Sequence, residues 1–210
     1  MKRNCVILSA APVSAEMRQY VDPARDYLIA CDAGWKSAAR LGLQPDLVIG
    51  DFDSSPRPQE QQVIVLPHEK DDTDTQYAAA QALSGGYESV RLLGALGGAR
   101  IEHTLANLST GLWLEQRGVR AELLSEQSRV TYVRPGETRK YNTEKYFYFS
   151  VFACSETAEG VTIRGAAYPL ENASLEAAYP IGVSNEFAGT RVEISVRRGF
   201  LQVIETVRDF

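Results

Sequence analysis

The chain is predicted to be an α/β protein with a mainly parallel sheet flanked by helices, followed by a small antiparallel β-sandwich domain. Three observations carry this. Up to about residue 125, short unmixed apolar runs alternate with helical stretches. Such runs fit strands buried on both faces, as in a parallel sheet covered by helices. Beyond Ser125, short strand signals follow one another, split by Gly, Pro and Asn, with no long helix between them. That pattern belongs to small sandwiches and barrels. Finally, six acidic residues fall at three points where a strand gives way to a loop. In open α/β sheets, ligands bind outside the carboxyl ends of the strands. The domain division expected is residues 1–125 and 126–210.

In order, Asn4 to Ser9, Tyr27 to Cys31, Leu47 to Ile49, Val63 to Leu66, Val90 to Leu93 and Ala121 to Leu124 read as strands. Trp35 to Leu41 reads as a helix stopped by Gly42, and Thr73 to Leu83 as one stopped by Gly85-Gly86. His103 to Arg117 is the longest, with Leu105, Leu108, Leu112 and Trp113 near helical spacing and Gly118 as its stop. In the second part, Arg129 to Val133, Tyr146 to Phe152, Val161 to Arg164, Ile181 to Val183, Arg191 to Val196 and Phe200 to Val207 read as strands. Arg134-Pro135-Gly136-Glu137 reads as a turn, and Arg197-Arg198-Gly199 as a hairpin connection. The run Tyr146, Phe147, Tyr148, Phe149 exceeds what one face of a short strand covers, so two of the four rings call for cover elsewhere, such as a second subunit.

Composition narrows the function classes. The chain has 210 residues and a net charge of -5, which argues against a general nucleic-acid binder. No apolar run is long enough to span a bilayer, and the run Cys5 to Leu8 is too short for a signal peptide. The three cysteines, Cys5, Cys31 and Cys154, are far apart and embedded in apolar strands. They point to buried thiols in a reducing cytoplasm rather than to zinc or disulfides.

The acidic loops are Asp32 after the second strand, Asp51-Phe52-Asp53 after the third, and Asp71-Asp72-Thr73-Asp74 after the fourth. Carboxylates converging there would be costly without a counter-charge. Mg²⁺ meets that need with one or two carboxylates plus substrate phosphates. Asp51 and Asp53 are one residue apart, so both can face one cation in an extended loop. Asp71 and Asp74 straddle a helix start, whose backbone N–H groups suit phosphate oxygens. Asp46, after Pro45, reads as a turn residue, while Thr73 or Asp74 can equally cap the helix. Lys70 can neutralise phosphate or sit solvated on the surface. Gly94-Ala95-Leu96-Gly97-Gly98-Ala99-Arg100 fits neither the dinucleotide fingerprint nor a Walker A loop, but its glycines let a backbone approach phosphate. Arg100 can grip phosphate bidentately or stack on a base. His103 can face a ligand or pack at the helix start, and His68, beside Pro67, reads as exposed.

These stretches resemble the thiamine pyrophosphokinase family. They are Asp32-Ala-Gly-Trp, Pro45 through Asp51-Phe-Asp53-Ser, Lys70-Asp71-Asp-Thr73-Asp74, and Gly94 through Arg100-Ile-Glu-His103-Thr-Leu-Ala-Asn107. Downstream, Gly165-Ala-Ala-Tyr168-Pro-Leu-Glu-Asn172 and Ser184-Asn185-Glu186 resemble the signatures of the family's second domain. The resemblance implies pyrophosphoryl transfer from ATP to the thiamine hydroxyl. It implies an ATP-binding catalytic domain, a thiamine-binding sandwich, and a homodimer with thiamine near the subunit interface. By motif position, Asp51, Asp53 and Asp71 would hold Mg²⁺, and Asp32, Thr73, Asp74, Gly97, Gly98, Arg100 and His103 would surround ATP. Catalytic roles would fall to Asp71, Asp74 and Arg100, with Asp71 or Asp74 accepting the hydroxyl proton. Tyr168, Ser184 and Asn185 would surround thiamine, the ring stacking on the cation and the amide answering the aminopyrimidine. The chain departs from the family loop by the inserted Ala99 and by Glu102 where Asp is usual. Tyr168 takes a slot that holds Trp in some members, and can alternatively be a core or edge aromatic. Competing readings are a metal-dependent nucleotide hydrolase and a non-catalytic nucleotide or thiamine sensor.

Overall fold

A computed structural model describes residues 4–52, 62–67, 69 and 71–208. The chain divides into two compact units, Met1–Glu126 and Gln127–Phe210.

In the first unit, six strands form β1 (Asn4–Leu8), β2 (Asp26–Cys31), β3 (Leu47–Gly50), β4 (Val63–Val65), β5 (Ser89–Leu93) and β6 (Arg120–Leu124). All pair in parallel, in the order β6-β5-β1-β2-β3-β4. The helices are α1 (Gly34–Arg40), α2 (Asp74–Ser84) and α3 (Ile101–Gln116). Val6, Leu8, Leu28, Ala30 and Val48 join Met17, Ala38 and Leu41 in one core. Cys5, Ile7, Ile29 and Ile49 are equally buried and, by strand alternation, face the other side. Burial on both faces explains why these strands read as unmixed apolar runs. After β4 the chain returns across the sheet to place β5 against the free side of β1, so the direction of winding reverses between β1 and β5. Such a reversal opens a crevice at the carboxyl ends of the strands.

The second unit holds two antiparallel sheets. One has β7 (Ser128–Val133), β9 (Tyr148–Ala153), β12 (Asn185–Glu186) and β14 (Leu201–Thr206), in the order β12-β9-β14-β7. The other has β8 (Thr138–Asn142), β10 (Thr157–Arg164), β11 (Leu170–Glu176) and β13 (Arg191–Ser195), in the order β11-β10-β13-β8. Their inner faces share one core, including Val133, Phe149, Val151 and Val203 from the first sheet and Tyr141, Val161, Ile163 and Ile194 from the second. This is the sandwich expected from the short alternating strands.

Two expectations fail here. Arg197-Arg198-Gly199 is not a hairpin connection, because β13 and β14 lie in different sheets. Instead Arg197 and Arg198 both donate backbone N–H groups to the Glu159 carbonyl, at 3.0 and 3.1 Å, and the chain crosses between sheets there. Nor is Ile181 to Val183 a strand; the short strand follows it, at β12. The aromatic run also finds cover within its own unit. Tyr146 is buried under the Arg129 guanidinium, Phe149 is buried against Phe187, and Phe147 stacks edge-on to Tyr148 with Arg208 over its ring. Those rings therefore give no argument for a second subunit.

Candidate active site

A cleft of about 650 Å³ opens in the first unit at the winding reversal. Its walls come from the loops after β1, β2, β3 and β5 and from the amino ends of α2 and α3. Asp32, Asp51, Asp72 and Asp74 line it, with Arg100 and His103 as the basic and imidazole groups among the described lining residues.

Local backbone chemistry sets each wall. Asp32 follows β2 with φ of 45°, and its N–H donates to the Ile49 carbonyl at 2.9 Å. A Cβ on Gly50 would come within 2.9 Å of the Asp32 carboxylate, so glycine at the end of β3 makes room for that side chain. Phe52, beside Asp51, also has a positive φ, 58°. Asp32 and Phe52 thus hold a conformation that non-glycine residues adopt at a cost, a pattern that clusters at functional sites. At α2, the Thr73 hydroxyl accepts the Gln76 N–H at 3.1 Å and caps the helix. Asp74 is 8% exposed at the first helical position, with the Cys31 thiol donating to its backbone carbonyl at 3.5 Å.

The glycine loop is braced from α3. The Asn107 amide donates to the Ala95 carbonyl at 2.8 Å, and the Gly97 N–H donates to the Thr104 hydroxyl at 3.1 Å. Gly94, Gly97 and Gly98 all have positive φ, and a Cβ on Gly94 would meet the Ala11 carbonyl oxygen at 2.5 Å. The Arg100 guanidinium is 70% exposed and donates through Nε to Glu102 at 2.7 Å. That hydrogen bond holds the Glu102 carboxyl below its ordinary range. It gives Glu102 a partner that the sequence left open, and it leaves the two terminal nitrogens of Arg100 outside this bond.

Of the residues expected at this site, Asp32, Asp51, Thr73, Asp74, Gly97, Gly98, Arg100 and His103 line the one cleft. Asp71 is exposed and stands off the lining, where Asp72 is found instead. Asp53, Lys70 and His68 fall outside the described residues. Among the described residues, no three Asp, Glu, His or Cys side chains gather as a metal cage. The donor set, carboxylate oxygen throughout the acidic loops, still fits a hard divalent cation that keeps water and substrate oxygens as its other ligands. Sequence reasoning missed Thr104 as a brace of the glycine loop, and Asn107 and the loop Ser9 to Pro12 as cleft components. The loop's signal was its position after the first apolar strand. Ser9 is buried there, its hydroxyl 2.9 Å from that of Thr75.

In the second unit, Tyr168 is 70% exposed, Ser184 is exposed with φ of 58°, and Asn185 is 6% exposed. Tyr168 and Asn185 are joined by hydrogen bonds in both directions, with 3.0 Å from the Tyr168 N–H and 2.7 Å to its carbonyl. The ring of Tyr168 is therefore neither core nor packed edge.

Residues 18–123 match the catalytic domain of thiamin pyrophosphokinase, and residues 138–201 match the vitamin B1 binding domain of the same enzyme. The thiamine pyrophosphokinase of Bacillus subtilis (strain 168) is 27% identical over 185 residues, covering 85% of this chain and 86% of that one. The crystal structure of a thiamin pyrophosphokinase from Geobacillus thermodenitrificans superposes with a TM-score of 0.85 at 27% identity, covering 98% of each chain. That of a thiamin pyrophosphokinase family protein from Enterococcus faecalis gives 0.81 at 30% identity, covering 99% of this chain and 100% of that one. With both domain matches in order along one chain and full-length structural agreement, the chain belongs to the thiamin pyrophosphokinase family.

Proposed function

We propose that the thiamine pyrophosphokinase activity of this chain runs as magnesium-dependent transfer of a pyrophosphoryl group from ATP to the hydroxyl of thiamine. ATP binds the catalytic domain, residues 1–125, and thiamine the sandwich, residues 126–210. The observation that carries the reading is the cleft at the winding reversal, where acidic loops and a braced glycine loop share one cavity. The hydroxyl oxygen attacks the β-phosphorus, the bond from that phosphorus to the oxygen bridging the α-phosphate breaks, and AMP leaves. Positioning and electrostatics supply most of the acceleration in such transfers.

The residues divide the work as follows. Gly97 and Gly98, in left-handed conformation, let the backbone approach the phosphates, and the first turn of α2 presents N–H groups beside Thr73. Arg100 offers its terminal nitrogens to phosphate while Glu102 holds Nε. Asp32 and His103 take the remainder of the nucleotide. By motif position Asp51, Asp53 and Asp71 would hold the cation, Asp71 from outside the cleft lining, and the bound ion would offset phosphate charge. Of the two candidate proton acceptors, Asp74 lies on the cleft wall, and we assign it the thiamine hydroxyl proton. Tyr168 presents its ring to the flat cationic substrate, and Ser184 offers its hydroxyl.

We further propose a homodimer in the cytoplasm. In the first unit Ile101 and Leu105, one turn apart on α3, are each more than half exposed, and in the second so are Tyr179, Ile181 and Val183; apolar side chains of either unit would be covered by a second copy. Light scattering at micromolar concentration gives twice the chain mass on this reading and a monomer mass against it. No helix among the described residues is long and apolar enough to cross a membrane. For the reaction itself, AMP release is followed with and without thiamine. Release that depends on both thiamine and Mg²⁺ supports transfer. Thiamine-independent release would instead identify a hydrolase, and binding without release a sensor.

A further inference from the structure

Asn185 has the chemistry of a substrate reader but not the availability of one. Its side-chain oxygen accepts two backbone N–H groups, from Tyr168 at 3.0 Å and from Glu186 at 2.9 Å. A carbonyl oxygen has two acceptor sites, so both are filled. Its amide nitrogen donates to the Tyr168 carbonyl at 2.7 Å. Tyr168 needs an acceptor for its N–H and a donor for its carbonyl, so only one orientation of the amide satisfies both.

The surroundings show what this arrangement extends. The segments 165–168 and 185–188 run antiparallel, with a bridge between Ala166 and Phe187. Ala188 donates to the Gly165 carbonyl and Ala167 to the Glu186 carbonyl, both at 2.9 Å. Beyond Glu186 the backbone turns away, with Ser184 at φ of 58° donating its N–H to the Ser150 hydroxyl at 3.1 Å. Asn185 itself is in register with Phe149 of β9. Its planar side chain then supplies the next rung of the 165–168 ladder, accepting and donating as a peptide unit would. The result is a backbone held on both polar groups in a residue that is 70% exposed.

We infer that Asn185 is a positioning residue for thiamine binding: its amide replaces a strand rung and fixes the backbone of Tyr168, so that the exposed ring is held ready for the substrate. The inference rests on the reading that Tyr168 meets thiamine. Fixing the backbone that carries the ring before binding removes part of an ordering cost that would otherwise reduce affinity. It also gives Ser184 a reason for its backbone conformation, since that turn brings the Asn185 side chain to Tyr168.

A double-mutant cycle on the full chain tests this. Asn185→Ala, Tyr168→Ala and the double variant are assayed for AMP release, giving separate KM values for thiamine and ATP, with a thermal melt for each. Asn185→Ala should raise the thiamine KM about tenfold and the ATP KM less than about twofold, and should add little once the ring is gone. Asn185→Asp keeps both accepted N–H groups but sets an oxygen against the Tyr168 carbonyl. It should raise the thiamine KM in the same Tyr168-dependent way, and serves if the alanine variant folds poorly. Full additivity with Tyr168→Ala, or equal losses for both substrates, would overturn the inference while leaving the thiamine reading in place. A thiamine KM unmoved by Tyr168→Ala would overturn the thiamine reading, and the inference with it.

Discussion

The cleft of the first unit and the Tyr168–Asn185 segment of the second make sites in opposite ways. In the cleft, side chains with their own chemistry stand at strand ends, and the backbone is shaped to admit them: Gly50 clears room for Asp32, and Gly94 approaches Ala11. In the second unit, the polar side chain serves the backbone, and an aromatic ring is what remains for a ligand. A site made of charges is sensitive to charge. A site made of backbone placement is sensitive to shape and to hydrogen-bond count.

The largest effect belongs to charge. Asp51→Asn should lower kcat by at least about 100-fold, the scale of losing one preorganised electrostatic contact in an active site. Its melting temperature should be unchanged or higher, because Asp32, Asp51, Asp72 and Asp74 share one cavity and repel one another. Near-normal AMP release at limiting Mg²⁺ would remove Asp51 from the metal site. A fall in both activity and melting temperature would make its role structural.

Next come the two glycines that allow close backbone approach. A Cβ on Gly94 meets the Ala11 carbonyl at 2.5 Å, and one on Gly165 meets the Arg191 carbonyl at 2.3 Å, both at positive φ. Alanine at either position should cost about 2–4 kcal/mol of stability. Gly94→Ala should raise the ATP KM of the enzyme that remains folded, and Gly165→Ala the thiamine KM. Urea unfolding together with both KM values separates the cases. Identical substrate profiles for the two variants would mean that only general destabilisation is being seen.

Asn107→Ala ranks third. It removes the donor to the Ala95 carbonyl from a residue 5% exposed, and an unmet buried acceptor costs about 1–3 kcal/mol. The ATP KM should rise about tenfold with thiamine KM little changed. An unchanged ATP KM would show that the glycine loop keeps its shape without this brace.

What the sequence made legible follows the same division. The parallel sheet could be read because Cys5 to Leu8 and Leu47 to Ile49 are buried on both faces, and the burial is written in the composition of the run. The acidic loops could be read because carboxylates recur after three successive strands, more than turns and helix caps call for. The strands β8 and β11 were missed because Thr-Arg-Lys-Tyr-Asn and Leu-Glu-Asn-Ala-Ser-Leu-Glu each bury only one side chain, Tyr141 and Leu175. Their place in the sheet is decided by backbone pairing, to which composition is nearly blind. The Arg197-Arg198-Gly199 connection misled for a related reason: Gly199, at φ of 81°, marks a turn but not which sheets it joins. Asn107 and Asn185 were hard to assign for the same cause, since an amide bonded to a backbone looks in sequence like an amide free for a ligand.

The smallest effect tests whether charge matters outside the cavity. Arg100 and Glu102 are bonded at 2.7 Å, yet both are well exposed. Solvent screens such a pair, so its worth to folding is small, and Glu102→Gln should barely move the melting temperature. Its effect should appear in ATP binding, because a neutral amide holds Nε less firmly, and the ATP KM should rise about threefold. The pH dependence has a definite sign. The Arg100 bond lowers the Glu102 carboxyl in the folded protein, so the contribution is complete above the ordinary carboxylate range and is lost as pH falls through the lowered folded value. ATP affinity of the parent chain should therefore lose this contribution only on the acid side, whereas Glu102→Gln should lack that part of the acid-side loss. The measurement is ATP binding by titration with a non-reactive analogue at several pH values in parent and variant. Identical acid-side profiles would show that Arg100 finds its phosphate without help from Glu102, and that electrostatic placement in this chain stops at the cavity wall.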